Sequence, residues 1–143
     1  MAVSRPRPSS VQSDIRYVAA EAILAGEPVR LSSGGAQKAC GVWSIGRLNP
    51  IGFSVSGAGV GDTFSVRISG VSDVPVANFD PAPTLTDIGQ RVWLSTTATG
   101  MVTMTAPSLE GSVVQRLGIL ATLNGGAGGS PQVVIQIGDY IRL

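Results

Sequence analysis

The sequence predicts an all-β protein, a small β-barrel or β-sandwich built from two similar sheet units and preceded by an extended N-terminal arm. Three observations predict this fold. Apolar and polar residues alternate in short runs, 19 glycines and nine prolines separate those runs, and the strand pattern occurs twice. Alternation with a period of two is typical of strands with one buried face, whereas glycine and proline disfavour helix interiors.

The first fifteen residues have the composition of an extended arm. Pro6 and Pro8 forbid a regular helix and cannot donate to a central sheet ladder, and Arg5 and Arg7 flank Pro6. Extended proline-flanked segments commonly dock across a neighbouring subunit or along a sheet edge. We therefore predict a protein-binding arm in which Arg5, Pro6, Arg7, Pro8 and Arg16 contact the partner. A simple tail and a nucleic-acid-binding tail are the alternatives.

Residues 16–143 predict a single β domain, because one hydrophobic core serves roughly 100–200 residues. Each predicted strand is an alternating or apolar run bounded by glycine, proline, asparagine or aspartate. The runs are 29–31, 53–55, 64–68, 92–94, 102–104, 117–121 and 134–137. The segment 17–24 is the one stretch that also fits a helical turn. We interpret it as strand or loop.

A weak internal repeat organises these strands. Residues 26–32 align with 89–95, and 51–55 followed by 64–68 align with 117–121 followed by 133–137. The repeats cover about 20–75 and 85–143, and each is too small to bury its apolar face alone. We therefore expect two related sheet units that pack together, with the proline-rich segment 80–84 as the crossover between them.

Charge and hydropathy exclude two classes of partner. The net charge is +1, and the nine arginines and one lysine are scattered, whereas duplex binding requires a concentrated basic patch. No apolar run approaches the 18 or so residues of a membrane-spanning helix. The N-terminal residues lack the apolar segment of a signal peptide, so we expect synthesis in the cytoplasm. The sequence thus predicts neither a nucleic-acid partner nor a membrane partner.

The residue types needed for catalysis or metal binding are sparse. The chain has no histidine, and Cys40 is the sole cysteine, which predicts a buried apolar residue rather than a nucleophile or a disulfide partner. The nine carboxylates are spread without metal-ligand spacing. The glycine-rich segments 56–62 and 124–130 lead into strands, not helices, which indicates turns rather than phosphate-binding loops. We predict no catalytic, cofactor-binding or metal-binding residues, and no enzymatic activity.

A succession of glycine-containing strand motifs resembles the small bacteriophage capsid decoration, or cement, proteins over about residues 20–140. The motifs are Ala25–Leu31, Ile51–Phe53, Gly61–Val71, Ile88–Ser95, Gly100–Thr103, Leu117–Ile119 and Val133–Ile137. The resemblance implies a β-barrel or β-sandwich body, often a homotrimer, on the outer capsid surface of the virion. There it would bridge subunits of the major capsid protein and stabilise the head against the pressure of packaged DNA.

Two other functions stay open from the sequence. The first is a different virion structural role, such as a head-fibre base or a neck or tail component. The second, from another class, is a small enzyme or a carbohydrate-binding β module. Trp43 and Trp93, however, are more typical of core or interface packing than of a carbohydrate platform. The partners we expect are the major capsid protein and further copies of the chain, with a trimer favoured.

Overall fold

The computed structural model describes residues 12–143 and confirms the predicted all-β class. The described chain forms two antiparallel sheets of five and six strands, which are not closed into a barrel and have a sandwich-like arrangement. The short 3-10 helices are Trp43–Ile45, Val76–Asn78, Leu85–Asp87 and Ala127–Gly129. Within residues 12–143, no helix has the length and apolar character needed to cross a membrane.

The first sheet contains the first five strands in the spatial order β1-β5-β4-β2-β3. They are β1 (Ser13–Val18), β2 (Pro28–Ser32), β3 (Gly35–Lys38), β4 (Gly52–Ser54) and β5 (Thr63–Ser69). β1 pairs with β5 along its whole length, so the sheet begins at Ser13, inside the 1–15 range assigned to the arm. The alternation of Asp14 and Arg16 with Ile15 and Tyr17 is the sequence signal for this strand.

The second sheet has the order β6-β10-β9-β7-β8, with β11 also paired to β9. Its strands are β6 (Val71–Asp73), β7 (Arg91–Leu94), β8 (Val102–Thr103), β9 (Val113–Thr122), β10 (Gln132–Ile135) and β11 (Tyr140–Arg142). The chain passes between the sheets at Gly70, whose φ of +92° turns the backbone there. The expected crossover at 80–84 is therefore wrong, because that segment connects β6 to β7 inside the second unit.

The two sheets have the same topology, which confirms two similar sheet units. Replacing β1 to β5 by β6 to β10 converts one spatial order into the other. The Gly26 N–H donates to Ser54 O at 2.8 Å, and the counterpart Gly89 N–H donates to Leu120 O at 2.7 Å. We call the two halves, β1–β5 and β6–β11, the first unit and the second unit.

In each unit, the segment after the first strand bridges to the strand at the opposite edge of the sheet. In the first unit Ala19 forms a parallel bridge with Ala36, and in the second Phe79 does so with Val102. The hydrogen bond of the following residue is also equivalent in the two units. The N–H groups of Ala20 and Asp80 donate to Ala36 O and Val102 O, both at 2.9 Å. The repeat is thus a repeat of backbone hydrogen bonding as well as of sequence pattern.

The core is divided between the units. One buried cluster lies in the first unit and consists of Ala19, Ile23, Val29, Ala36, Phe64 and Val66. The other joins residues of both units and consists of Ala39, Phe53, Val74, Phe79, Val92, Leu94, Val102, Leu117, Leu120 and Val133. Phe53 and Ala39 belong to the first unit, so this second cluster holds the two units together.

One glycine in each unit is required by close packing of strands. A Cβ atom added to Gly52 would lie 2.0 Å from Arg67 O, and one added to Gly118 would lie 2.0 Å from Val134 O. Both glycines occupy the same position, on β4 and on β9, where the neighbouring strand approaches closely. The Gly residue of the repeated Ile-Gly or Leu-Gly pair is therefore a steric requirement of the fold.

Candidate functional site

Five residues are predicted to bind a partner through the arm, and of these only Arg16 belongs to the described residues. Arg5, Pro6, Arg7 and Pro8 lie outside the described residues. Arg16 lies on β1, is exposed, and is in register with Ser65 of β5. Its side chain is available to a partner, and its role in binding stays a prediction.

The outer side of β7 and β9 forms an open polar and aromatic surface. Along β7, Val92 and Leu94 are buried, so Arg91 and Trp93 point to the other side of the sheet. They line a cleft of about 650 Å³ together with Ile119 of β9 and with Gln90 and Met104. We call this surface, Gly89, Gln90, Arg91, Trp93 and Ile119, the second-unit face.

This face extends past Arg91 and Trp93 along β9. A second cleft of about 290 Å³ shares these two residues and adds Val114, Arg116 and Asp139. The combination of an indole, two guanidinium groups and aliphatic side chains matches the composition of protein interfaces, in which aromatic residues and arginine are enriched. Chemically, the surface can bury apolar area while its arginines donate to carboxylates or carbonyls.

The first unit carries an open groove lined mainly by isoleucine side chains. Its volume is about 400 Å³, and its lining residues are Ile15, Tyr17, Pro50, Ile51, Ile68, Ile135 and Ile137. The side chain of Ile15 is 42% exposed. We call these residues the first-unit groove. Sequence reasoning missed it, because β1 was assigned in part to the arm and because the groove also takes two residues from the end of the second sheet.

The two tryptophans are not buried. Trp43 is 37% exposed and packs against the C-terminal strand. The guanidinium carbon of Arg142 lies 4.4 Å from its ring centroid, and the ring of Tyr140 lies 6.0 Å away at 51°. A cation over an indole at this distance is a favourable contact. Arg142 thus covers one face of Trp43, whereas Trp93 lines the clefts of the second-unit face.

A group of charged side chains surrounds the start of β2 and the end of β3. Glu21 accepts hydrogen bonds from the Lys38 N–H at 3.0 Å and from the Arg47 guanidinium, with which it also forms an ion pair. Glu27 is only 6% exposed and accepts from the Leu24 N–H at 2.5 Å. Burial raises the pKa of Glu27, an effect that this hydrogen bond and Lys38 partly oppose.

An ion pair joins two neighbouring strands of the first sheet. The Arg67 guanidinium donates to both carboxylate oxygens of Asp14, at 2.9 and 3.2 Å. This hydrogen bonding lowers the pKa of Asp14 and raises that of Arg67. Arg67 also donates to Val71 O at 3.2 Å, so the same side chain connects β1 and β5 with the start of the second unit.

The remaining candidate chemistry is limited within residues 12–143. Cys40 is buried and unpaired, as the sequence predicts. No three His, Cys, Asp or Glu side chains of this described part are close enough to hold a metal ion. The two glycine-rich segments connect antiparallel strands, β4 to β5 and β9 to β10, which confirms their interpretation as turns.

Comparison with known proteins identifies no relative. No protein-family model, no curated protein and no solved structure matches the chain.

Proposed function

We propose that this chain is a bacteriophage capsid decoration protein. It binds the outer surface of the head and stabilises contacts between major capsid protein subunits against the pressure of packaged DNA. The proposed role is mechanical rather than enzymatic. The alternative within the same class is another structural component of the virion, such as a head-fibre base or a neck or tail protein.

The observation that carries the proposal is the amount of neutral, apolar surface on a two-unit β body. Only 13% of the residues are charged, about half the share of ordinary soluble domains. Among the described residues, fourteen large hydrophobic side chains are exposed, and the first-unit groove brings several apolar residues together. Contiguous apolar surface on a soluble protein favours a role in protein assembly.

The chemistry of the exposed surfaces supports contact with protein rather than with a small substrate. Arg91 and Arg116 flank Trp93 on the second-unit face, and Arg142 stacks on Trp43. Arginine is weakly hydrated and forms forked hydrogen bonds, and it is enriched at interfaces together with tryptophan. Such a surface gains free energy when a protein partner excludes water from it.

Stabilisation of a shell follows from multivalency. A protein that contacts two capsid subunits at once makes its second contact at a high effective concentration, so modest individual contacts add up. Because it binds the assembled shell and not the separated subunits, it shifts the equilibrium towards the intact shell. Each bound copy raises the free energy required to separate neighbouring capsomers.

The direct test compares virions with and without this protein. Particles that lack it should assemble and package DNA but release that DNA at a lower temperature, measured by dye accessibility during heating. Adding back the purified protein should restore the release temperature. Unchanged heat release, with the protein present at full occupancy on normal heads, would contradict the proposal.

A truncation tests the arm separately, and the start of β1 defines where the chain can be cut. Deleting residues 1–11 leaves β1 intact, since the strand begins at Ser13. The truncated protein should bind heads more weakly than the full chain and keep the same thermal unfolding midpoint. Arg16→Ala tests the one arm residue that lies in the sheet. Equal binding of the truncated and full-length proteins would show that the arm is a simple tail.

Location separates the remaining candidates. Cryo-electron microscopy of virions should place the protein over the head lattice, at a copy number comparable to that of the major capsid protein. Density confined to the neck, tail or fibres would instead establish the alternative virion role. The carbohydrate-binding function predicts that Trp93→Ala abolishes retention on a glycan array, whereas the capsid proposal predicts no retention of either form.

A further inference from the structure

Because the two units share a topology, equivalent residues can be compared, and one pair of equivalent segments differs in burial. Residues 26–28 of the first unit are buried, whereas their counterparts 89–91 in the second unit are exposed. The strands that follow, β2 and β7, have the same pairing, with Val29 opposite Gly52 and Val92 opposite Gly118. Another part of the described chain therefore packs on residues 26–28, whereas residues 89–91 are left exposed.

The cover in the first unit is the second unit itself. A Cβ atom added to Gly26 would lie 2.5 Å from Pro75 Cδ and 2.8 Å from Asp73 O, which follow or belong to β6. The same atom added to Gly89 would have no neighbour within 4 Å. Within residues 12–143, the surface around Gly26 therefore packs against β6 and the residues that follow it, whereas nothing packs at the position of a Gly89 Cβ atom.

Phe53 and its counterpart show the same difference deeper in the contact. Phe53 is fully buried in the cluster that contains Val74 and Phe79 of the second unit. The equivalent residue on β9 is Ile119, because Gly52 and Gly118 precede the two at matching positions. Ile119 is partly exposed and lines the open cleft of the second-unit face.

The surface of the second unit that packs against the first unit also has a counterpart. In this case the residues of the second unit are buried and their counterparts in the first unit are more exposed. In the second unit Ser72, Val74 and Leu117 are all buried. By strand order and register, their counterparts in the first unit are Ile15, Tyr17 and Ile51. These three line the open first-unit groove, where Ile15 is 42% exposed against 3% for Ser72. Within the described residues, each half of the internal contact thus has a more exposed counterpart on the surface of the same chain.

We infer that a second copy of this chain docks on these duplicates. The second-unit face of one copy, with Gly89, Gln90, Arg91 and Ile119, packs into the first-unit groove of the next copy. The contact repeats between chains the contact that joins the two units within a chain. It is heterologous, so it uses two different surfaces and generates a closed ring if the rotation closes and an open filament if it does not.

This inference concerns the isolated chain and does not rest on the capsid proposal. A decoration protein can bind heads as a monomer, and a head-to-tail assembly can serve another role. Failure of one therefore leaves the other standing, and the two are measured on different samples, free protein and virions.

The test is analytical ultracentrifugation of the full-length chain and of one variant for each surface. Ile15→Asp places a charge in the first-unit groove, and Arg91→Asp changes the second-unit face at an exposed position. The matched controls are Val60→Asp and Leu109→Asp, both 73% exposed and outside the two surfaces. The unmodified chain and both controls should sediment as a defined assembly, and each surface variant should sediment as a 14.6 kDa monomer.

Mixing the two surface variants distinguishes a head-to-tail contact from a two-fold symmetric one. The Ile15→Asp chain keeps an intact second-unit face, and the Arg91→Asp chain keeps an intact groove. An equimolar mixture should therefore form a dimer of twice the monomer mass that grows no further. A symmetric face-to-face or groove-to-groove interface would instead be disrupted by only one of the two variants. That result, or a mixture that stays monomeric, would overturn the inference.

Two further outcomes would also overturn it. One is a monomeric unmodified chain at the highest soluble concentration, and the other is persistence of the assembly in both surface variants. Far-UV circular dichroism checks that each variant is folded. If either is not, Ile137→Asp replaces the groove variant and Gln90→Asp replaces the face variant, because both lie outside the strands.

Discussion

The two units share a backbone but are filled by side chains of different size. At the isolated parallel bridge of each unit, Ala19 and Ala36 of the first unit stand where the second unit has Phe79 and Val102. The first unit makes up the missing volume with the loop residue Ile23, which is buried in its cluster. The same hydrogen-bonded frame thus accepts different interiors, provided that each interior is filled.

The units also differ in what their outer sides do. The first unit gives Phe53 to the shared core, whereas the second unit leaves Ile119 partly open. A repeat with equivalent strands therefore does not produce equivalent surfaces, because a chain of two units has one internal contact and two unmatched ends. The predictions below test this difference between the units.

The largest expected effect separates Phe53 from its counterpart. Phe53→Ala removes a fully buried ring from the core between the units and should lower the free energy of unfolding by about 3–5 kcal/mol. Ile119→Ala removes a partly exposed side chain and should cost about 1 kcal/mol in the monomer. Urea denaturation followed by circular dichroism measures both values. Equal losses would mean that the two positions are not in different environments.

The next effect should be the same in both units. Gly52→Ala and Gly118→Ala each place a Cβ atom against a backbone carbonyl oxygen, so both should destabilise the protein by about 3 kcal/mol. Gly34→Ala is the control, because its nearest neighbour would be a side-chain atom at 4.0 Å. If either strand glycine tolerates alanine as well as Gly34 does, the close approach of that strand pair is not obligatory.

A smaller effect belongs to the first unit alone. Asp14→Asn removes the pair with Arg67, which is partly exposed, so the loss should stay below about 1 kcal/mol at neutral pH. The lowered pKa of Asp14 means that this stabilisation is fully present above its ordinary value of 3.8 and disappears as the pH falls through the lowered value. Unfolding curves of both proteins should therefore converge at low pH. A gap that persists in acid would assign the loss to packing.

The smallest effect concerns Glu27, whose counterpart in the second unit is Gln90. Burial raises the pKa of Glu27, so the folded state favours its protonated form. Relative to Glu27→Gln, the unmodified protein should be less stable above the raised pKa and should recover as the pH falls towards 4.5, the ordinary value. Thermal unfolding between pH 4 and 8 measures this, with the exposed Glu110→Gln as control. A difference that does not depend on pH would contradict the assignment to burial of the charge.

Much of the fold could be predicted from local pattern. The strands with clean alternation, such as β5 over Thr63–Ser69, lie where the sequence predicts them. The short strand β3, Gly35–Lys38, was missed, because its pattern is too brief to separate from a turn. Because proline is typical of connections, the sequence predicts the crossover between the units at 80–84. In the structure the chain passes from the first sheet to the second at Gly70.

The candidate surfaces could be predicted only in part. Trp93 and the arm residue Arg16 were identified from residue type. The first-unit groove was not, since it combines β1, the segment before β4 and the end of β10, which are far apart in the sequence. Local periodicity indicates which side of a strand is apolar, but it carries no information on whether a neighbouring element covers that side.

The sequence by itself determined the all-β class and the two similar units, because alternation, glycine spacing and an aligned repeat are local properties of the chain. The tertiary structure alone decided which copy of each repeated surface is buried. Gly26 and Gly89 have nearly the same backbone conformation, with φ of +76° and +85°, yet one is packed against Pro75 and the other is open. Burial depends on what lies across the contact, and the contact between two units can be made only once within one chain.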